Sequence, residues 1–306
     1  MRALVLGGSG FIGSHLVDAL LADGHRVRVF DRQPDRFRDA LAGVDYRFGS
    51  LADGSDVAEA LAGIDVVFHL VSTSVPSTSN LDPVADIEGN LVTAVQLLDQ
   101  MRRLDVRRIV FLSSGGTVYG NPGRSPVAET DPLRPICSYG VVKVAIEHYL
   151  FMYQDLHGIE PVILRPSNPI GPRQGHLGVQ GVVPTFLRRL LDGDSIQVWG
   201  DGSVVRDYLD VTDLAALCVQ AGNSDVVGVF NAGSGIGTSV NDVLSLIESV
   251  TGRKADVHYQ AARSFDVQRI VLDSDLALRT FGWSTAIALD ESVRRLWDWL
   301  VAVNGR

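Results

Sequence analysis

Cysteine is nearly absent: Cys137 and Cys218 are the only two in 306 residues. Two cysteines make neither a disulfide framework nor a Cys-based metal site. The seven histidines are scattered, without an HExxH or comparable pair, so no metal is expected. Aromatics are sparse at 7%, and basic residues are outnumbered, 27 Lys and Arg against 36 Asp and Glu. The net charge of −9 argues against broad nucleic-acid binding, which wants a basic face. It does not exclude an anionic small ligand. No apolar run approaches the roughly 18 residues that span a bilayer. The apolar start Met1–Leu6 is broken by Gly7 and Gly8 too early for a signal peptide. Together these absences predict a cytoplasmic protein of a reducing compartment, with no nucleic-acid or membrane partner. Glycine is in excess: 31 residues, above a background of roughly 7%.

The first half alternates short apolar runs with helical patterns. Ala3–Leu6, Val27–Phe30, Val66–Leu70, Ile109–Leu112 and Val162–Leu164 read as strands. Helices are predicted over Phe11–Ala22, over 84–103 with Ile87, Leu91, Val95 and Leu98 on one stripe, and over 138–156. Strands that are apolar throughout and alternate with helices imply a parallel sheet covered on both faces, an α/β doubly wound fold. After Arg165 the texture changes: Pro166 to Gly175 alone holds five prolines and glycines. One helix follows, then a strand at Ile196–Trp199, a helix near 212–221, a strand near 227–230, and helices near 239–251 and 289–302. The predicted division is a Rossmann-type lobe of residues 1–165 and about 206–232. The second lobe is smaller, mixed α/β and substrate-binding, from about 166–205 and 233–306.

Gly7, Gly10 and Gly13 lie directly after the first strand and open the first helix. The first glycine permits a tight turn, the second lets backbone approach a pyrophosphate, and the third lets helix and strand pack closely. The helix N-terminus adds free N–H groups and partial positive charge. Asp31 follows at the end of the second strand, where a carboxylate takes the adenine-ribose hydroxyls. An acid there favours NAD over NADP, since a 2′-phosphate meets a like charge; the adjacent Arg32 leaves NADP open.

Tyr139 and Lys143 are spaced i, i+4 on the helix over 138–156 and share a face. A phenol titrates near 10, and lowering that by about three units takes roughly 4 kcal/mol. An ammonium in a partly dry cleft, beside a positive nicotinamide, is expected to supply it. The phenolate then accepts an alcohol proton while hydride leaves for nicotinamide.

On these residues the chain resembles the extended short-chain dehydrogenase/reductase family, and the resemblance covers nearly its whole length. Gly7, Gly10, Gly13, Asp31, Asn90, the segment Ser113-Ser114-Gly-Gly-Thr117-Val-Tyr119-Gly120 and Tyr139-Gly-Val-Val-Lys143 match in order. The later half resembles the nucleotide-sugar epimerase branch: Arg165-Pro-Ser-Asn168-Pro-Ile-Gly-Pro172, Gly200-Asp-Gly-Ser-Val-Val-Arg206-Asp207-Tyr208 and Phe281-Gly282-Trp283. The resemblance implies catalysis by Tyr139 and Lys143 with help from Ser114 or Thr117. It implies NAD contacts from Gly7, Gly10, Phe11, Ile12, Gly13, Asp31, Arg32, Leu70, Asn90, Ser113, Tyr139 and Lys143. Asn168, Val182, Trp199, Arg206, Tyr208, Arg263 and Asp266 would hold a nucleotide sugar, most commonly a UDP-sugar. It also implies a homodimer through a four-helix bundle built from the helices at 84–103 and 138–156.

The implied reaction inverts C4 of the sugar through a 4-keto intermediate. Three positions depart from the family pattern. The Ser or Thr three residues before the Val of the VYG motif is Gly115. The Asp of the adenine contact is Ser50, and a bulky aromatic that restricts N-acetyl sugars is Ile270. Sites that carry an Asp-Glu pair in 4,6-dehydratases are Gly116 and Thr117, which disfavours dehydration. An NAD(P)H-dependent 4-ketoreductase using the same residues is the alternative enzyme. A non-catalytic NAD sensor is the alternative from another class, against which Tyr139 and Lys143 argue.

Overall fold

The computed structural model describes residues 1–175, 181–262 and 267–304. The alternation read from the sequence becomes β1 (Arg2–Leu6), α1 (Phe11–Ala22), β2 (Arg26–Asp31), β3 (Asp45–Phe48), α2 (Gly54–Leu61), β4 (Val66–His69), α3 (Pro83–Asp86), α4 (Thr93–Arg103), β5 (Arg108–Leu112), α5 (Ser138–His157) and β6 (Glu160–Pro166). Then come β7 (Asn168–Ile170), α6 (Val182–Asp192), β8 (Ile196–Trp199), β9 (Val205–Asp210), α7 (Val211–Asn223), β10 (Gly228–Ala232), β11 (Gly237–Ser239), α8 (Val240–Thr251), β12 (Val257–Gln260), β13 (Arg269–Ile270), α9 (Asp275–Phe281) and α10 (Leu289–Asn304).

Seven strands form one sheet in the order β10-β6-β5-β4-β1-β2-β3. The pairings from β6 through to β3 are parallel. The chain runs outward from β1 to β3, then crosses back and runs the other way through β4, β5 and β6. The order therefore reverses beside β1, the switch point where doubly wound folds bind ligands. β4 and β5 are buried along their whole length, as a sheet covered on both faces requires. Leu4, Val67, Ile109 and Ile163 join Leu97, Met101, Ile146 and Leu150 in the core of this sheet.

The chain divides into two units. The first comprises Met1–Val118, Pro135–Arg165 and Ala215–Phe230. The second comprises Tyr119–Arg134, Pro166–Leu214 and Asn231–Arg306. Residues 119–134 and 206–214 thus join the second unit, although the sequence pattern assigns them to the first. Short pairings explain the difference. β9 pairs with β7, β11 and β13 inside the second unit, and Val127 bridges Leu272 there. The second unit has its own core, including Ile170, Val183, Leu187, Tyr208, Val243, Ile247 and Leu296.

One predicted helix is corrected. Residues 84–103 are not a continuous α-helix. Between α3 and α4 the six residues Ile87–Val92 wind as a wider π-helical turn. Thr93 Oγ1 donates back to the carbonyls of Gly89 and Asn90, at 2.9 and 3.2 Å, loosening the ladder there. The stripe is re-aimed as a result: Ile87 is exposed while Asn90 is buried. Such turns recur at functional sites.

Candidate active site

The loop after β1 is built for close approach. Gly7 adopts φ +83°, a conformation that side chains disfavour, and its N–H donates to Phe30 O at 2.9 Å. At Gly13 a Cβ would lie 2.0 Å from Gly7 O, so any larger residue would push helix and loop apart. Gly10 precedes the first turn of α1 and offers no side chain to cap it, leaving helix N–H groups for an anion. Phe11 and Ile12 form that turn and are half-buried. Asp31 ends β2, half-buried, and accepts the Ser9 N–H at 3.1 Å and the Arg32 N–H at 2.7 Å. The Arg32 side chain is exposed, and Leu70, just past β4, is half-buried. A glycine cradle, an uncapped helix start and a carboxylate at the end of the neighbouring strand together fit a dinucleotide.

Tyr139 and Lys143 lie in the first turns of α5 as predicted, Tyr139 half-buried and Lys143 4% exposed. Lys143 Nζ donates to Leu112 O at 2.8 Å and sits 4.7 Å from the Phe111 ring centre and 5.5 Å from that of Tyr139. Burial pushes the Lys143 ammonium down to about 8, against the pull of Glu147 and Asp86. The expected lowering of Tyr139 is not what the protein groups produce. Burial, then Cys137 and Asp86, hold the phenol above its ordinary value, and only the Ser114 hydroxyl works the other way. Lys143 Nζ turns its hydrogen bond to the Leu112 carbonyl. Ser114 is the hydroxyl bonded to Tyr139; the buried Thr117 Oγ1 has no hydrogen-bond partner among the described residues.

Ser113 and Asn90 are buried and hydrogen-bonded within the first unit. The Ser113 N–H donates to Leu164 O at 2.8 Å and its hydroxyl donates to Glu147. Asn90 Oδ1 accepts the Thr73 N–H at 2.8 Å, and its Nδ2 donates to Asp86 Oδ1 at 2.8 Å. Several neighbours were not foreseen. Glu147, four residues beyond Lys143, is 1% exposed and ion-paired to Arg165 at 2.5 Å. His69 ends β4 with its ring edge-on to Phe111, 5.4 Å between centres. Burial, then the Lys143 charge, pushes its imidazole down to about 3, so it is neutral. The i, i+4 step from Lys143 to Glu147 was visible in the sequence; nothing there pairs Glu147 with Arg165 or places His69 beside Lys143.

In the second unit Asn168 sits in β7, its Nδ2 donating to Asp207 O at 2.8 Å. Arg206 is half-buried in β9 and Nη1 donates to Val205 O at 2.9 Å. Tyr208 is buried, its hydroxyl without a hydrogen-bond partner among the described residues; burial pushes that phenol up to about 12 against the Arg206 charge. Asp207, between them in sequence, is fully buried. It accepts the N–H groups of Ser234, Gly235 and Leu272 and the Ser234 hydroxyl. Trp199 stands at a cavity of about 250 Å³ that Asp201, Ser203, Ala262 and Gln268 also line. Val182 opens α6 and packs on the second core instead, and Ile270 is buried in β13. Arg263 and Asp266 lie outside the described residues.

A sequence profile of the NAD dependent epimerase/dehydratase family matches residues 3–233. The chain belongs to that family. Within it, the chain is 36% identical over 303 residues to the UDP-glucose 4-epimerase of Mycolicibacterium smegmatis, covering 96% of this chain and 97% of that protein. The UDP-glucose 4-epimerase of Thermotoga maritima, solved with UDP-glucose, superimposes with a TM-score of 0.94 at 32% identity, covering 99% of this chain and all of the other. That of Thermus thermophilus, solved with NAD, gives 0.92 at 35% identity, covering 98% and 99%.

Proposed function

We propose that this chain is an NAD-dependent 4-epimerase of a nucleotide-diphospho-sugar, a UDP-hexose or UDP-N-acetylhexosamine. The observation that carries the reading is the grouping of Ser114, just after β5, with Tyr139 and Lys143 at the start of α5, in a chain that aligns with UDP-glucose 4-epimerases from end to end. NAD would be held by the Gly7–Gly13 loop, the first turn of α1 with Phe11 and Ile12, Asp31 and Leu70. Lys143 would hold it too, with Asn90 supporting from behind. When bound it supplies a hydride acceptor for C4 and a positive charge that favours the phenolate.

Tyr139 Oη takes the proton of the sugar 4-hydroxyl, leaving a 4-keto sugar, and returns it when the opposite face of C4 is reduced. Ser114 donates to the same oxygen pair and keeps the proton path short. Lys143, charged below about pH 8, offsets the negative charge that forms on Tyr139. Arg206 would clamp the diphosphate, for which a guanidinium fork is suited, and the family resemblance alone assigns Arg263 to the same group. Asn168 and Tyr208 would add hydrogen-bonding groups and Trp199 would flank the base, with Asp266 assigned to the nucleoside by the family resemblance alone.

An epimerase recycles its reductant within each turnover, whereas a ketoreductase consumes it. Incubating the purified protein with UDP-glucose and UDP-N-acetylglucosamine, without added cofactor, and following C4 configuration by NMR tests the reading. Interconversion supports it; turnover only with added NAD(P)H rejects it in favour of a 4-ketoreductase.

Two copies would pair through the apolar residues left exposed along α5 and the segment before α4. Val141, Tyr149, Met152 and Leu156 recur on one face of α5, and Ile87 and Val92 are exposed on the π-helical turn. Sedimentation at monomer mass would reject the dimer. Among the described residues no helix is long and apolar enough to cross a membrane. The free thiols Cys137 and Cys218 suit a reducing, cytoplasmic setting.

A further inference from the structure

Asp86 has no part in the reaction as just described, yet it is a carboxylate 2% exposed to solvent. Among the described residues, the side-chain donors it engages are all neutral. At Oδ1 it accepts Ser74 Oγ–H at 2.6 Å and Asn90 Nδ2–H at 2.8 Å; at Oδ2 it accepts Ser138 Oγ–H at 2.7 Å. These three donors come from the loop after β4, the π-helical turn and the first residue of α5. A buried charge is costly, and three neutral hydrogen bonds satisfy its lone pairs without cancelling it. For packing alone, an Asn of the same size would keep one acceptor oxygen without the cost of a buried charge. The residue next to Ser138 is Tyr139.

We propose that Asp86 is a positioning residue of the active site. Its carboxylate tethers the first turn of α5 through Ser138, and its charge sets the pH range over which the Tyr139–Lys143 pair works. The π-helical turn supports this geometry. It brings Asp86 and Asn90 inward together, so that Asn90 ties the loop at Thr73 while Asp86 ties Ser74 and α5. The charge then acts on both members of the pair in one direction. It opposes ionisation of Tyr139 and favours the ammonium of Lys143. The other groups facing Tyr139 are Cys137, which also opposes its ionisation, and the Ser114 hydroxyl, which favours it. Those facing Lys143 are Glu147, which favours its charge, the neutral His69, and the Leu112 carbonyl. Because Tyr139 and Lys143 interact, the measured limbs belong to the pair rather than to either residue.

The test is the pH profile of kcat for the holoenzyme with a UDP-sugar it turns over. Asp86→Asn keeps size and one oxygen but removes the charge. Both limbs are expected to move to lower pH by about one unit, so that activity at a pH on the acid limb rises by up to roughly tenfold. Ser138→Ala keeps the charge and removes one tether. The limbs should stay in place while kcat falls severalfold. The proposal is overturned if the Asp86→Asn profile coincides with the parent's, or if Ser138→Ala moves the limbs as far as Asp86→Asn does. Should Asp86→Asn fail to fold, as circular dichroism would show, Ser138→Ala carries the test, and an unchanged kcat overturns the proposal. The inference rests on Tyr139 as the base, and Tyr139→Phe in the same assay separates the two. Turnover lost in Tyr139→Phe with limbs unmoved in Asp86→Asn overturns the role of Asp86 alone. Turnover retained in Tyr139→Phe overturns both.

Discussion

The two units bury their acids for different ends. In the first, Glu147 is paired with Arg165 and Asp86 is held by neutral donors, and both bear on the charge of Lys143. In the second, Asp207 is equally buried but spends its lone pairs on backbone N–H groups and a serine, fastening Ser234, Gly235 and Leu272 to β9. The first pattern bears on the charge of Lys143; the second fastens loop backbone to a strand. Buried carboxylates are thus a poor guide to chemistry until their donors are known. The contrast also assigns consequences: changes in the first unit should fall on kcat, and changes in the second on KM.

Tyr139→Phe is the sharpest way to break that contrast. Loss of the one proton acceptor should lower kcat by about 10²–10⁴-fold, with the melting temperature little changed because only a hydroxyl is removed. A comparable loss in KM with kcat intact would erase the distinction. Arg206→Ala comes next. Removing one charge-assisted clamp on a diphosphate should raise KM by about 10–100-fold, from roughly 1.5–3 kcal/mol, with kcat within a few fold. Substrate saturation curves for the two variants decide the matter.

Asp31→Ala should weaken NAD binding by about tenfold, the weight of a hydrogen bond to a charged group, read by cofactor retention on desalting. Unchanged retention would move the ribose contact elsewhere. The smallest effect is the pH response. Burial sets Lys143 at about 8, so its ammonium is present below that pH and is lost as pH rises through it. Activity should therefore decline severalfold between pH 8 and 9, whereas KM should be flat there, since arginines stay charged.

Much of the first unit was legible because its signals are local. The glycines at 7, 10 and 13 and the acid at 31 need only one β-α-β step to come together, and Tyr139 and Lys143 need one helical turn. The second unit was read less well. β7 and β11 have three residues each and β13 two, too few for any periodicity to register. Division of the chain at about 206 failed to anticipate that β9 pairs with three such strands. Within the first unit, the apolar stripe over 84–103 hid a wide turn, because spacing alone does not reveal a carbonyl taken by Thr93.

What the sequence by itself determined is the doubly wound lobe, its phosphate loop, the NAD preference and the Tyr–Lys pair. Each depends on residues within a few positions of one another or on the order of apolar runs. Only the tertiary structure decided how that pair is electrically set. Asp86 meets Ser138 across 52 residues, Glu147 meets Arg165 across 18, and Lys143 turns to a strand carbonyl rather than to the phenol. Burial depends on which elements cover a group, and a pKa depends on burial and on charges from distant parts of the chain. Spacing along the chain carries neither.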